Sequence, residues 1–248
     1  MKLHLVCPDC FNSSEPDKPF DQGRAFVEVE VRDDGAYFAT CREGHQFITF
    51  LIEERFEVLF ELGVHAIVDG YYREAVTSFT ASLERFYEYA LRIMSQARGV
   101  QPDAFDKFWK QISNQSERQV GAYAVMHLIE FGKPMPMLPS DRIAFRNAVV
   151  HKGKIPSSFE ALDYGEQVRV ILVGLLADLV RQFQDSIASV FEARKVLRPA
   201  GAPEAMDVNL QFAHASVSLF KGREAETLQA GVAALRAFRD QLGHSSAR

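Results

Sequence analysis

Four residues near the N-terminus carry a metal-binding pattern. Cys7 and Cys10 are spaced C-x2-C, and Cys41 and His45 are spaced C-x3-H. Two such pairs can bring four ligand atoms to one ion. Thiolate and imidazole together suit a borderline-soft cation such as zinc, which is tetrahedral and four-coordinate in structural sites. These pairs use all three cysteines of the chain, an odd number too small for a secreted disulfide framework. With His45 the set closes at four. A full set leaves no open position, so the expectation is structural zinc rather than a catalytic ion. The alternatives are unrelated reduced thiols beside a surface histidine, or a remnant site that has lost its metal. His4, close to Cys7, is a weaker substitute ligand.

A second constellation lies far along the chain, at Arg146, Asn147 and His151. Histidine is the side chain best placed to move protons near neutral pH. Arginine can hold a phosphate in a bidentate fork and stabilise charge developing on it. On an ideal helix Asn147 and His151 lie ~40° apart and share a face, whereas Arg146 and His151 lie ~140° apart. The latter two converge only if the helix ends near His151, as Gly153 allows, or if a second copy completes the site. Arg142, Arg146, His151, Lys152 and Lys154 form a cationic string opposed locally only by Asp141. The plainer reading is an Arg146 surface ion pair and a polar network of Asn147 and His151 at the helix end. Glu84 faces away from the apolar stripe of an upstream helix; it could approach this site, but its spacing favours a solvated carboxylate. His65 and His127 sit within apolar helical patterns and read as packed. Trp109, Phe105 and Phe108 read as core rather than as a stacking platform.

The elements that must position these residues change character near residue 52. Residues 25–31 alternate as strand, Asp33-Asp34-Gly35 reads as a turn, and residues 37–40 continue as strand, which together suggest a hairpin. Beyond 52 the period becomes helical. A helix is expected over 54–68 and another over 71–97, with the stripe Tyr72, Ala75, Val76, Phe79, Leu83, Phe86, Ala90 and Met94. A short helix is expected over 103–112. Ser116-Glu117-Arg118-Gln119 reads as a capping box that opens a helix to about 131. Gly132, Pro134, Pro136 and Pro139 form a loop, and Ser140 can cap the helix to about 151. Ser157-Ser158-Phe159-Glu160 is a further capping box before a helix to about 197, with a break expected at Tyr164-Gly165. Residues 198–203 read as a linker, and 204–243 carry a helical pattern with Leu228, Val232, Leu235, Phe238 and Leu242.

The Cys-x-x-Gly-His string and the flanking strands resemble a zinc ribbon over about residues 5–50. The Arg-Asn-x3-His string resembles the hallmark of HEPN domains (higher eukaryote and prokaryote nucleotide-binding domains) over about residues 55–197. With 19 arginines and seven histidines in the chain, about 1.6 bare Arg-x4–6-His matches are expected by chance, and Arg239 to His244 is a second one. Requiring the adjacent Asn at one spacing lowers the expectation to roughly 0.01. The helix that begins Tyr71-Tyr-Arg-Glu-Ala resembles the first long helix of such domains. The resemblance implies a homodimer with two Arg/His pairs across its interface. It also implies metal-independent RNA cleavage, in which the 2′-hydroxyl is the internal nucleophile, and roles in stress response, toxicity or antiphage defence. His151 would then transfer the proton, Arg146 would hold the phosphate, and Asn147 would orient.

The 248 residues suffice for one or two domains with a real core. The net charge of −5 and pI near 5.8 give no global nucleic-acid footprint. The apolar run at 168–180 is about 13 residues long and holds Arg169 and Asp178, too short and too charged for a span of ~20. No secretory signal is legible, so the cytoplasm is the expected compartment. The expected architecture is mainly α: a β zinc-ribbon-like unit over 1–52, a helical bundle over 53–198, and a linker with a C-terminal helical segment over 199–248. The competing reading is a non-catalytic nucleic-acid- or protein-binding scaffold.

Overall fold

The computed structural model describes residues 2–13, 25–195, 199, 201–211, 216–218 and 226–245. Among these the chain is mainly α, with eight helices and five strands. In order they are β1 (Lys2–Val6), α1 (Pro8–Asn12), β2 (Phe26–Glu30), β3 (Ala36–Thr40) and β4 (Gln46–Leu51). There follow α2 (Arg55–Val68), α3 (Tyr72–Ala97), α4 (Pro102–Ile112), α5 (Ser116–Phe131), α6 (Ser140–Lys152) and α7 (Ser158–Lys195). β5 (Val208–Gln211) and α8 (Leu228–Ser245) complete the chain.

α3 is the centre of the bundle. Its expected stripe is buried from Ala75 to Met94 and packs against α2, α4, α5, α6 and α7. Close approach is achieved with glycine. The fully buried Phe79 ring is seated against Gly63 of α2 and Gly165 of α7, where even a Cβ would meet it at 2.4 and 2.5 Å. That contact aligns α3, which carries Glu84, with its two long neighbours.

The strand periodicity located the strands but not their partners. β2 does not form a hairpin with β3. It pairs antiparallel with β1, bringing Leu3 opposite Val29 and Leu5 opposite Val27, so that apolar side chains share a face. β3 instead pairs antiparallel with β4, and the turn between them is the Cys41–His45 segment itself. There the Gly44 N–H donates to the Cys41 carbonyl and Gly44 has φ +86°, a left-handed conformation that costs glycine little. The Asp33-Gly35 turn serves as the crossing from one sheet to the other.

Other departures concern helix ends. Ser116 does not cap α5; Gln119 is buried and donates instead to the Ser113 carbonyl at 2.7 Å while accepting from Arg85. Pro139, not Ser140, is the residue before α6, with no side-chain cap. The Ser157–Glu160 box does form, with reciprocal bonds of 3.2 and 2.8 Å. α7 runs unbroken through Tyr164 and Gly165 and is interrupted at Phe183 (φ −124°, ψ 29°). Its 38 residues span roughly 57 Å at ~1.5 Å each.

The C-terminal segment is not helical throughout, because β5 lies inside it and extends the β3–β4 sheet in parallel with β4. The Gln211 amide then acts as one more strand residue. It accepts from the Val6 N–H at 2.8 Å and donates to the Val6 carbonyl at 2.6 Å, joining the two sheets. α8 packs on α2 through Leu228, Val232 and Leu235, and Phe238 meets His4 and Phe26 edge-on. Its first N–H, on Leu228, is held by Glu166 at 2.6 Å. Leu242 and His244 lie outside the described side chains, as does part of the 198–203 linker. No helix among the described residues is long and apolar enough to cross a membrane. Arg169 and Asp178 in the apolar run are held by Glu166 and by Lys133 with Arg181.

Candidate functional site

The four sulfur and nitrogen ligands meet at one point. Cys7 follows β1, Cys10 lies on α1, Cys41 follows β3 and His45 precedes β4, so four element ends converge. The His45 Nδ1 lies 3.8 Å from the Cys7 Sγ, 3.3 Å from that of Cys10 and 3.6 Å from that of Cys41. The Cys10 and Cys41 sulfurs are 3.7 Å apart, and all four ligand atoms lie within 4.8 Å of one another. No disulfide joins them. These residues could hold a metal ion. His4 takes no part; its ring is seated between Phe26 and Phe238.

The thiols feel the crowding. Burial, together with hydrogen bonds that the Cys10 S–H donates to the Cys41 and Cys7 sulfurs, pushes the Cys10 thiol up to about 12. Burial also opposes ionisation of Cys41, but the backbone N–H groups of Glu43 and His45, together with hydrogen bonds from the Cys10 and Cys7 thiols, bring that thiol down to about 7. Three neighbouring sulfurs share charge unequally because like charges at this spacing repel.

The second constellation is partly assembled. Arg146 is largely buried and turns inward to α3, donating from one terminal nitrogen to the Glu84 carboxylate at 3.1 Å and from the other to the Asn147 side-chain oxygen at 2.9 Å. Asn147 therefore orients Arg146 rather than His151. His151 is exposed near the C-terminal end of α6, where Gly153 has φ +73°. It acts on Glu84 electrostatically, and the hydrogen bonds of Arg146 go to Asn147 and Glu84 rather than to it. The ~140° separation on an ideal helix persists because α6 stays regular past His151.

Glu84 is the residue whose role the spacing understated. It is not solvated: its side chain is 26% exposed. Burial holds its carboxyl above the ordinary range, although Arg146, Arg85 and His151 all pull the other way. The readable signal was Thr80, Glu84 and Tyr87 at i, i+4 and i+7, a second stripe beside the apolar one. At its base the Thr80 and Tyr164 hydroxyls are 2.8 Å apart.

The cationic string is less bare than its local sequence suggests. Arg142 is paired with Asp163 at 2.5 Å, Lys154 with Glu160 at 2.5 Å, and Arg146 with Glu84. Those three carboxylates come from elsewhere in the chain, beyond the reach of a local count. Lys152 and His151 stay exposed.

His127 is fully buried, with Nδ1 3.0 Å from the Lys133 carbonyl. Phe105 and Trp109 are buried and stacked, while Phe108 is exposed. His65 contacts Arg239, which also pairs with Asp69; this second Arg/His string is thus tied to α2.

No protein-family model, no curated protein and no solved structure matches the chain.

Proposed function

We propose that the chain is a HEPN-like, metal-independent RNA-cleaving domain that works as a homodimer, with an N-terminal unit clamped by structural zinc. The observation that carries the RNA reading is Arg146 fixed by Glu84 and Asn147 on the same helix as an exposed His151. A guanidinium held in place is pre-organised to receive a phosphate, and a solvent-facing imidazole can exchange protons. A second copy supplies the convergence that one α6 cannot. In the reaction, neutral His151 takes the proton of the 2′-hydroxyl as that oxygen attacks phosphorus. The bond to the 5′ oxygen breaks, and that oxygen takes a proton from the imidazolium of the second copy. A 2′,3′-cyclic phosphate and a 5′-hydroxyl result. Arg146 offsets the charge gathering on the phosphoryl oxygens. A role in cytoplasmic stress response, toxicity or antiphage defence fits this activity.

The test is incubation of diverse RNAs with excess chelator, comparing the wild type with His151→Ala and Arg146→Ala. Cleavage by wild type that falls at least a hundredfold in both variants is expected. No cleavage by wild type, or equal cleavage by all three, refutes the reading. One observation favours a second reading, a non-catalytic scaffold that binds nucleic acid or protein. Internal carboxylates neutralise Arg142, Arg146 and Lys154, which weakens the pull on a polyanion.

For the metal, the ligand set and most of its edges support zinc. Bonds of ~2.3 Å to sulfur and ~2.05 Å to nitrogen at tetrahedral angles give edges of about 3.8 Å between sulfurs and about 3.6 Å from sulfur to nitrogen. The Cys10–Cys41 edge is 3.7 Å and the three sulfur–nitrogen edges are 3.3–3.8 Å, within a cluster that spans up to 4.8 Å. Zinc there would clamp the ends of β1, β3 and β4 at the edge of the small cluster formed by Leu3, Leu5, Tyr37 and Phe47. Elemental analysis of protein purified without added zinc should give one zinc per chain, and Cys41→Ser should lose it. A stoichiometry near zero with the β1–β4 unit still folded overturns the assignment.

A further inference from the structure

Beside the Glu84–Arg146 pair lies a cavity of about 380 Å³, within the ~300–1,000 Å³ of small-molecule sites. Its walls come from α3, α5, α6, the loop between the last two, and Tyr164 of α7. Most of that wall is apolar, with Leu83, Val120, Met135, Leu138 and Ile143 among its residues. Polar residues interrupt it: Thr80 and Tyr164 bond each other, Ser116 and Glu117 lie on the α5 wall, and three further groups carry the recognition. Glu84 gives Arg146 one oxygen and keeps the lone pairs of the other. Arg146 spends two of its five N–H groups on Glu84 and Asn147. The third is Tyr87, which is 3% exposed and whose hydroxyl has no hydrogen-bond partner among the described residues. Burial raises the proton affinity of that hydroxyl, so it stays protonated and can donate.

The occupant must therefore have apolar faces and a polar edge that donates to a carboxylate while accepting from a hydroxyl or guanidinium. A fatty or aromatic acid fails, because its carboxylate would lie against Glu84. A pyrimidine has an edge of this kind but leaves much of the apolar volume empty. Guanine matches: its N1–H and exocyclic N2–H can both donate to one carboxylate, and O6 accepts next to them. Adenine offers a single donor on that edge and an unprotonated ring nitrogen that would oppose the carboxylate.

We infer that this cavity is a guanine-binding pocket, which selects the base of the nucleotide whose phosphate lies at Arg146 and His151. The substrate class is then RNA with an unpaired guanine at the cleaved step. This rests on the RNA-cleaving reading for its purpose, but base binding itself needs neither His151 nor a second copy.

The test is calorimetric titration of the full chain with guanosine, inosine, adenosine and uridine. Guanosine should bind at least tenfold more tightly than adenosine or uridine, with inosine between, because it lacks the N2 donor. Glu84→Gln should abolish the guanosine preference, since the amide presents a donor where an acceptor is needed. Tyr87→Phe removes one oxygen, keeps the packing, and should weaken guanosine about tenfold. Val120→Phe fills the cavity from the wall and should exclude all four nucleosides. His151→Ala should bind guanosine as the wild type does. This last arm separates the two readings: guanosine binding that depends on Glu84 without any RNA cleavage leaves the pocket standing and removes the nuclease. Equal affinity for the four nucleosides, no nucleoside binding alongside uptake of a long-chain alkyl probe, or unchanged guanosine affinity in Glu84→Gln overturns the pocket.

Discussion

The Phe79 ring between two glycines permits a quantitative test of how α3 is held. A Cβ on Gly63 would lie 2.4, 2.6 and 2.9 Å from three ring carbons, and one on Gly165 would lie 2.5 and 2.9 Å from the opposite edge and 2.6 Å from Leu228. Comfortable carbon contacts are ~3.5–4.0 Å, so the two alanines need about 1.0–1.6 Å of relief. The ring cannot swing clear. It is fully buried, tilted against Phe60 at 4.8 Å between centroids, and bounded by the other glycine. Overpacking of this kind costs ~3 kcal/mol, and glycine to alanine in a helix interior returns ~1 kcal/mol. Gly63→Ala and Gly165→Ala should each therefore destabilise by about 2 kcal/mol. Gly121 and Gly174 are exposed helix glycines with nothing within 4 Å of an added Cβ. Their alanine variants should stabilise by about 0.5–1 kcal/mol. Urea unfolding followed by far-ultraviolet circular dichroism measures all four. A double variant, Gly63→Ala with Phe79→Leu, should be more stable than the sum of its parts, because the smaller side chain vacates the contact. If Gly63→Ala stabilised as much as Gly174→Ala, the steric account would be refuted.

Further expectations follow from other contacts. Ser157→Ala should lower stability by about 1 kcal/mol through loss of the α7 cap, read from the same urea transitions. The Lys154 ammonium and the Ser157 N–H and hydroxyl hold the Glu160 carboxyl down to about 2, against 4.5 when free. Its contribution is complete above pH 4.5 and is lost as pH falls toward 2, so Glu160→Gln should flatten acid unfolding across that window and leave the neutral limb parallel. Gln211→Leu would strip both partners from the Val6 backbone and should cost about 1–2 kcal/mol. Hydrogen exchange would show it as lost protection at the Val6 amide, and unchanged protection would contradict the bridge.

Much of the local structure was legible because it depends on neighbours in sequence. The apolar stripe from Ala75 to Met94 requires only a period of 3.6 residues, and the Ser157–Glu160 box requires two side chains three apart. The metal cluster was legible for a related reason: each pair, Cys7 with Cys10 and Cys41 with His45, is a local unit, and paired spacing is itself the chemical signal. Strand partners were not legible. The alternation in 25–31 is equally satisfied beside β1 or β3, and only the shared burial of Leu3, Leu5, Val27 and Val29 selects β1. The same holds for β5, four residues whose ladder is completed by β4 some 160 positions earlier.

The amino-acid order by itself determined which residues can ligate a metal, which faces of the helices must be buried, and that Arg146 and His151 cannot share a face of one regular helix. These follow from donor chemistry and from helix geometry, which act over a few residues. Tertiary structure alone decided the charge and surroundings of the second site. It brought Glu84 from α3 to Arg146, drew Asp163 and Glu160 onto the neighbouring cations, and left the Tyr87 hydroxyl beside an apolar cavity. Electrostatic interaction and desolvation depend on distance in space, and no count along the chain can supply that distance.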